Sequence, residues 1–246
     1  MKIVITGASS GLGMETAKLF IKNGWTVTVC ARRTDRLEEL KSLSETVKTA
    51  YLDVNNPESA DVLDSLLKSD GGTDIYFHAS GIGCHNLETD LEKELNVLNT
   101  NCLGFSRCII TAFNYFRERG GGQIAAISSV AGTKGLGAAP SYSASKAMNN
   151  VYLQSLAQLS NMLRVNIAFT DIKPGFVKTA ILDSNRDYPL LMTKEYAARK
   201  IYKAIIKKKR KAVIDWKYAV LVFFWKLIPD FIWERLRIDA SQNKKI

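Results

Sequence analysis

The sequence predicts an α/β fold: a doubly wound parallel sheet with helices on both faces and a hydrophobic helical extension at the C-terminus. Three observations predict it. Short apolar, β-branched runs alternate with stretches of helical periodicity, and strands that alternate with helices join by right-handed crossovers into a parallel sheet. The first strand runs directly into a glycine-rich turn and then a helix. A chain of 246 residues that is 46% hydrophobic and 24% charged suits one large domain with ample core.

The elements follow in order. Ile3-Val4-Ile5 is a short strand, and Gly7-Ala8-Ser9-Ser10-Gly11-Leu12-Gly13 leads into a helix carrying Ala17, Leu19, Phe20 and Ile21. Strand, glycine-rich turn and helix together make the geometry that binds a dinucleotide. The glycines let backbone approach a pyrophosphate, and the helix start offers free N–H groups. The spacing is T-G-x-x-x-G-x-G rather than G-x-G-x-x-G. An ordinary βα turn is the plain alternative, and the surrounding pattern favours the phosphate site. Thr26 to Cys30 alternates as a second strand and ends in Ala31-Arg32-Arg33. No acidic residue stands there to hold a ribose 2′-hydroxyl, and two arginines suit the 2′-phosphate of NADP instead. Thr34 to Leu43 reads as a helix capped by Thr34, with Leu37, Leu40 and Leu43 on one face. Val47 to Leu52 is strand three, ended by Asp53-Val54; Pro57 to Leu67 is a helix with proline near its start. Asp74 to Phe77 is strand four, followed by His78-Ala79-Ser80-Gly81. Leu91 to Phe116 reads as one long helical stretch holding Asn99, Asn101 and Gly104, stopped by Gly120-Gly121-Gly122. Ile124 to Ile127 is a buried strand that leads to Ser129, and a helix carrying Tyr142 and Lys146 continues to about Met162. Val165 to Phe169 is strand six, with Asp171 to Thr179 after it. Thr193 to Ile206 is a helix and Ala212-Val213-Ile214 the last strand.

Tyr142 and Lys146 are i and i+4, so they share one helix face. An ammonium beside a phenol favours the phenolate and lowers the tyrosine pKa from about 10, which makes a proton donor or acceptor usable near neutral pH. Ser129 sits at the C-terminal end of a strand, where open α/β sheets hold their ligands. A surface tyrosine with a solvated lysine is the plain alternative, and Tyr-x-x-x-Lys alone is a weak signal. Composition excludes other chemistries. With two histidines the chain lacks the makings of a histidine-rich metal site or a histidine-based triad. The four cysteines, Cys30, Cys84, Cys102 and Cys108, show no C-x-x-C pair and read as reduced thiols of an intracellular protein. Met1 to Thr6 runs straight into the first strand, so no signal peptide is expected and the expected location is the cytoplasm.

On these motifs together the chain resembles the short-chain dehydrogenase/reductase (SDR) family. The matching residues are Thr6-Gly7-x-x-x-Gly11-x-Gly13, Asp53-Val54, Asn101-x-x-Gly104, Ser129, Tyr142-x-x-x-Lys146 and Pro174-Gly175-x-Val177-x-Thr179, in the family's order. The resemblance covers roughly Met1 to Ile214. It implies a Rossmann fold over residues 1–215, an NADP(H) cofactor and a catalytic set of Asn101, Ser129, Tyr142 and Lys146. In that set Tyr142 is the acid in reduction and the base in oxidation. Lys146 lowers its pKa and bonds the nicotinamide ribose, Ser129 polarises the substrate carbonyl, and Asn101 supports a water. It also implies cofactor contacts from Gly7, Ser9, Ser10, Gly11, Leu12 and Gly13, from Arg32 and Arg33, from Asp53 and Val54 at the adenine, from Ala79, Ser80 and Gly81, and from Pro174, Gly175, Val177 and Thr179 at the nicotinamide end. One departure stands out. The family often has Asn-Asn-Ala-Gly after strand four, and here His78-Ala79-Ser80-Gly81 replaces it. His78 then takes a supporting position rather than a catalytic one.

Residues 216–246 differ in composition. Ala219-Val220-Leu221-Val222-Phe223-Phe224-Trp225 is followed by Lys226, Phe231, Ile232, Trp233 and Leu236. The run is too short to span a bilayer, yet Trp and Tyr beside Lys and Arg resemble an interfacial anchor. Two readings stay open: peripheral membrane contact through 216–237, or a helix pair packed on the substrate mouth or on another subunit. The formal net charge is +10, with much of the excess in the last third, including Lys207 to Lys211. That run is short and no recognition motif accompanies it, so nucleic acid is not an expected partner. The expected function is NADP(H)-dependent interconversion of a ketone and a secondary alcohol on a hydrophobic or acyl-chain substrate. A soluble 3-oxoacyl-carrier-protein reductase, whose acidic carrier would suit a basic surface, is the alternative enzyme. A catalytically idle NADP-binding regulatory protein is the alternative of another class. The family tends to homodimers or homotetramers. The loop Ile181 to Leu191 carries no motif and is expected to set specificity.

Overall fold

A computed structural model describes residues 1–182 and 187–238. Seven parallel strands form one sheet: β1 (Lys2–Thr6), β2 (Thr26–Ala31), β3 (Val47–Tyr51), β4 (Ile75–His78), β5 (Gly121–Ile127), β6 (Asn166–Pro174) and β7 (Lys211–Ile214), in the order β3-β2-β1-β4-β5-β6-β7. The helices are α1 (Gly11–Lys22), α2 (Glu38–Lys41), α3 (Ser59–Lys68), α4 (Leu91–Leu98), α5 (Phe105–Arg119), α6 (Pro140–Met162), α7 (Lys194–Ile206), α8 (Trp216–Leu227) and α9 (Asp230–Trp233).

The alternation of β1 explains the two layers. Ile3 and Ile5 face one side, where they pack with Phe20 of α1, Ile201 and Ile205 of α7 and Tyr218 of α8. Val4 faces the other, with Tyr76, Phe113 and Phe116 of α5 and Leu153 of α6. Strand order reverses between β1 and β4, and ligands of open α/β sheets lie in the crevice at such a point.

The boundaries depart from expectation in four places. Thr34 is itself in helical geometry and caps nothing; a 3₁₀ turn over Asp35–Leu37 and the one-turn α2 replace the expected helix to Leu43. Burying Leu37 and Leu40 needs no more length than that. The expected helix from Leu91 to Phe116 is interrupted by a π-helical stretch, Asn99–Gly104. Such wide turns often sit at functional sites, and this one holds Asn101. Gly120 ends α5 in left-handed geometry, but Gly121 and Gly122 already belong to β5. Strand β6 runs on to Pro174 instead of stopping at Phe169, because β7 pairs with Asp171 through Pro174. Its polar Thr170, Asp171 and Lys173 hid that continuation.

Candidate active site

The C-terminal ends of β1, β4, β5 and β6 surround a cavity of about 570 Å³. Every site residue expected from sequence except Asn101 lines it.

The β1–α1 turn forms one end. Gly7 has φ +76°, and a Cβ there would stand 2.5 Å from the Ser80 nitrogen. A Cβ on Gly13 would stand 2.4 Å from the Gly7 carbonyl oxygen. The turn and the start of α1 therefore press against the strand-four segment as only glycine allows. Ser10 at the helix start gives no side-chain cap, and the first turn holds no acidic residue, which leaves its N–H groups and dipole for an anion. The Arg33 guanidinium lies over this turn and donates to Ser10 Oγ (3.0 Å) and Ser9 Oγ (3.3 Å). Arg32 lines the same end. A phosphate-bearing dinucleotide fits this cradle. Asp53 accepts from the Asn55 N–H in a tight turn that presents Asp53 and Val54 to the cavity.

His78 is fully buried at the end of β4 and does not reach the cavity. Its Nδ1 bonds the Tyr76 hydroxyl (2.9 Å) and Thr6 Oγ1 (3.3 Å), and Phe105 meets it edge-on at 5.1 Å. Burial, and secondarily the positive charge of Lys146, push its pKa down to about 3, so the ring is neutral. His78 is a support beneath Ala79, Ser80 and Gly81, which do line the cavity.

Ser129 and Tyr142 meet on the far side of the crevice. Ser129 Oγ accepts from the Ala131 N–H (3.0 Å), which fixes the turn after β5. Tyr142 lies in the first turn of α6, begun by Pro140. The Ser141 N–H of that turn is held by Glu94 Oε2 (2.9 Å), whose other oxygen accepts from Asn86 (2.6 Å). The Asn86 and Ser141 bonds hold the Glu94 carboxyl below its usual range. Glu94 thus ties α4 to the start of the tyrosine helix, a role that carries no sequence motif. Lys146 Nζ lies 5.7 Å from the Tyr142 ring centroid and donates to the Ile127 carbonyl (3.2 Å).

The expected lowering of the Tyr142 pKa by Lys146 is not what this geometry gives. Burial raises the phenol, with the Ser129 hydroxyl pulling it partly back. Burial likewise lowers Lys146, to about 8, against the pull of Cys102 and Asp171. A desolvated amine turned toward a carbonyl does not drive a desolvated phenol to ionise.

Asn101 stands behind the wall. Its Oδ1 accepts from the Ile82 N–H (2.9 Å) and its Nδ2 donates to the Ile82 carbonyl (2.8 Å) and to Ser145 Oγ (3.1 Å). Its own carbonyl faces the Asn149 amide, which in its donating orientation reaches it at 2.8 Å. Gly81 sits between the two groups, since a Cβ there would lie 3.3 Å from both Asn101 Oδ1 and Lys146 Nζ. Behind Ser129, the Ser128 hydroxyl donates to the buried Asp171 carboxylate, which pairs with Lys173 at 3.3 Å. Among the described residues no cluster of His, Cys, Asp and Glu could hold a metal ion.

The remaining walls are mainly apolar, with Leu136, Phe176, Tyr188, Leu190, Leu221 and Trp225, and His85 stands among them. Of the loop Ile181 to Leu191, residues 183–186 lie outside the described residues; Tyr188 packs on Phe176 at 4.8 Å. Helix α8 covers the mouth. Tyr218 lies on Gly175, where a Cβ would meet its ring at 2.2 Å, and its hydroxyl takes the Phe176 N–H (3.0 Å). Trp233 packs on Trp225 at 5.3 Å and donates to the Gly135 carbonyl (2.7 Å). Packing on the mouth, one of the two readings of the tail, describes the inner face of α8. No helix among the described residues is long and apolar enough to cross a membrane.

Comparison with known proteins agrees with this geometry. Residues 1–189 match the family described as short chain dehydrogenase. A Mycobacterium tuberculosis protein known as an uncharacterized oxidoreductase is 33% identical over 93% of this chain and 94% of its own length. The Xenopus tropicalis dehydrogenase/reductase SDR family member 7B is 26% identical over 99% of this chain and 87% of its own. The solved short-chain dehydrogenase from Sphingobium yanoikuyae in complex with NADPH superposes with a TM-score of 0.80 at 20% identity, covering 98% of each chain, a likeness of fold.

Proposed function

The chain belongs to the short-chain dehydrogenase family, and from that premise we propose that it reduces a hydrophobic ketone with NADPH, or oxidises the matching secondary alcohol with NADP⁺. One observation carries the reading: Ser129, Tyr142 and Lys146 line the same cavity as the Gly7–Gly13 cradle and the two arginines.

The pyrophosphate would rest on the turn and the start of α1, and the 2′-phosphate near Arg33, Ser9 and Ser10. Arg32 and Arg33 in place of an acid favour NADP over NAD. Pro174, Gly175, Val177 and Thr179 would hold the nicotinamide end. Bound there, the nicotinamide ring supplies or takes up the hydride. The chain's own residues handle the oxygen. The Tyr142 hydroxyl gives its proton to the carbonyl oxygen as negative charge develops, and Ser129 donates a hydrogen bond to the same atom. In the alcohol direction Tyr142 takes that proton back. Lys146 holds the ribose and places positive charge beside Tyr142, while Asn101 fixes Ile82 and the wall beside Gly81. Leu136, Phe176, Leu221 and Trp225 exclude water and suit an apolar or acyl-chain substrate. Exposed Leu91, Leu95 and Leu103 along α4 and the π stretch suit a homodimer or homotetramer contact.

The test is NADPH consumption across long-chain ketones, 3-oxoacyl thioesters free and carrier-bound, steroids, sphingoid ketones and small ketones. Turnover of apolar ketones with NADPH is the expected result. Turnover confined to the carrier-bound thioester would assign the carrier-protein reductase instead. NADPH binding with no turnover of any carbonyl would assign a regulatory role.

A further inference from the structure

Helix α8 is apolar on both sides, for different reasons. Its inner side buries Tyr218 and Val222 and sends Leu221 and Trp225 to the cavity. At about 100° per residue, Trp216, Val220, Phe223 and Leu227 form a second stripe on the opposite side. All four are exposed, Trp216 by 67%, Phe223 by 60% and Leu227 by 63%. Phe224, Phe231 and Ile232 extend this surface and are exposed as well. On the same helical wheel Lys217 and Lys226 fall about a quarter turn to either side of the stripe, and both are exposed. Arg235 and Arg237 follow at its end, also exposed.

We propose that this face docks on an anionic lipid bilayer and that the cavity mouth beside it takes its substrate from the bilayer. The second half rests on the reading that the substrate is an apolar ketone; the docking itself does not. The 12 residues of α8 span about 18 Å, too short to cross a bilayer and suited to lying in its surface. Trp and Phe on the stripe suit the interfacial layer, and lysines at its flanks carry their charge up to the headgroups. Charge selects the bilayer over a second copy. A second copy would present only the same positive flanks to Lys217 and Lys226, whereas anionic headgroups neutralise them. The apolar surface is also continuous with the cavity. Leu221 and Trp225 line the mouth from the same helix, and the partly exposed Ile181 and Leu190 line it from the facing loop.

The test is sedimentation of the full chain with vesicles of phosphatidylcholine alone and of phosphatidylcholine mixed with phosphatidylglycerol. Binding is expected to the mixed vesicles, weakening as salt rises because exposed charges are screened. Brominated lipid is expected to quench tryptophan emission, since Trp216 lies on the stripe. Phe223→Ser with Leu227→Ser should weaken partitioning about tenfold or more per side chain. Neither residue lines the cavity, so turnover of a short water-soluble ketone should be unchanged, while turnover of a vesicle-borne ketone falls. Wild-type protein left in the supernatant with mixed vesicles at low salt overturns the docking. So does a double variant that sediments like wild type, or a dimer in sedimentation equilibrium that the double variant dissociates. Vesicle binding without turnover of any ketone would leave the docking standing and overturn the proposed reaction.

Discussion

His78 offers a measurement of how dry the floor of the site is. Its imidazole is fully buried and its pKa is pushed down to about 3, whereas in the unfolded chain it titrates near 6.5. The folded state therefore refuses a proton that the unfolded state accepts. This contribution to stability is intact above about pH 6.5 and is lost as pH falls from there toward about 3. At 1.36 kcal/mol per pH unit, about 1.5 units separate pH 5 from the unfolded pKa, so stability should fall by about 2 kcal/mol between about pH 7 and about pH 5 from this residue. His78→Asn removes the titration. The smaller side chain also leaves a void and costs stability at every pH, so the informative quantity is the difference in pH dependence. Urea unfolding followed by circular dichroism at the two pH values gives it for both proteins. The wild type should lose about 2 kcal/mol more than the variant on acidification. Equal losses, or an imidazole that titrates near 6.5 by NMR in the folded protein, would refute the argument.

Other consequences concern the chemistry. Tyr142→Phe should lower kcat by about 10²–10⁴-fold while NADPH still binds, as followed by cofactor fluorescence; near wild-type turnover would remove Tyr142 from the mechanism. Arg33→Ala should weaken NADPH about 10–150-fold and leave NADH nearly unchanged, the worth of a charge-assisted bond; equal weakening of both cofactors would move the 2′-phosphate elsewhere. Lys146, lowered to about 8, should impose a fall in kcat/KM for NADPH as pH rises through that value. Lys146→Arg, which keeps its charge, should abolish that limb, and an unchanged profile would exclude Lys146. Glu94→Gln gives up a charged acceptor for the Ser141 N–H, so it should cost about 1 kcal/mol of stability and lower kcat with NADPH affinity unchanged; an unaltered kcat would confine Glu94 to scaffolding.

Local signals in the chain carried most of this site, and the misses have physical causes. Gly7, Gly11 and Gly13 are legible because a backbone that approaches a phosphate tolerates no side chain, and Tyr142 and Lys146 because i and i+4 share a face. Arg33 over Ser9 and Ser10 follows from the end of strand two meeting the turn after strand one. Asn101 was visible as a motif residue, but the π stretch that turns its amide to Ile82 was not, since a widened turn has no periodicity of its own. Strand β6 read short because its last residues are polar while their pairing with β7 is a backbone matter. Glu94 and Asp171 lie 47 and 43 residues from the serines they hold, and no local pattern announces a contact of that range. The tail was legible as an aromatic, apolar run set among lysines and arginines, and its division into a cavity face and an outer face needed the position of Gly175 beneath Tyr218.

The largest revision concerns the tyrosine and lysine, and it bears on the direction of the reaction. Sequence spacing puts a cation beside a phenol and suggests an ionised tyrosine. In the folded chain burial acts on both groups and disfavours charge on each: the phenol rises and the amine falls to about 8. Their pKa values start close together and therefore move apart, the phenol upward and the amine downward, so passing the proton from Tyr142 to Lys146 is uphill. A protonated phenol is the form that reduction requires, because the acid must hold its proton until the alkoxide develops. Oxidation requires the phenolate, which the Ser129 hydroxyl favours against the cost of burial. Ketone reduction should therefore hold its rate at the lower pH values, while alcohol oxidation should gain as pH rises toward the phenol's raised pKa. Measuring both directions across pH on one substrate pair separates the cases. Oxidation that is already maximal near neutral pH would mean that the lysine, and not burial, governs Tyr142.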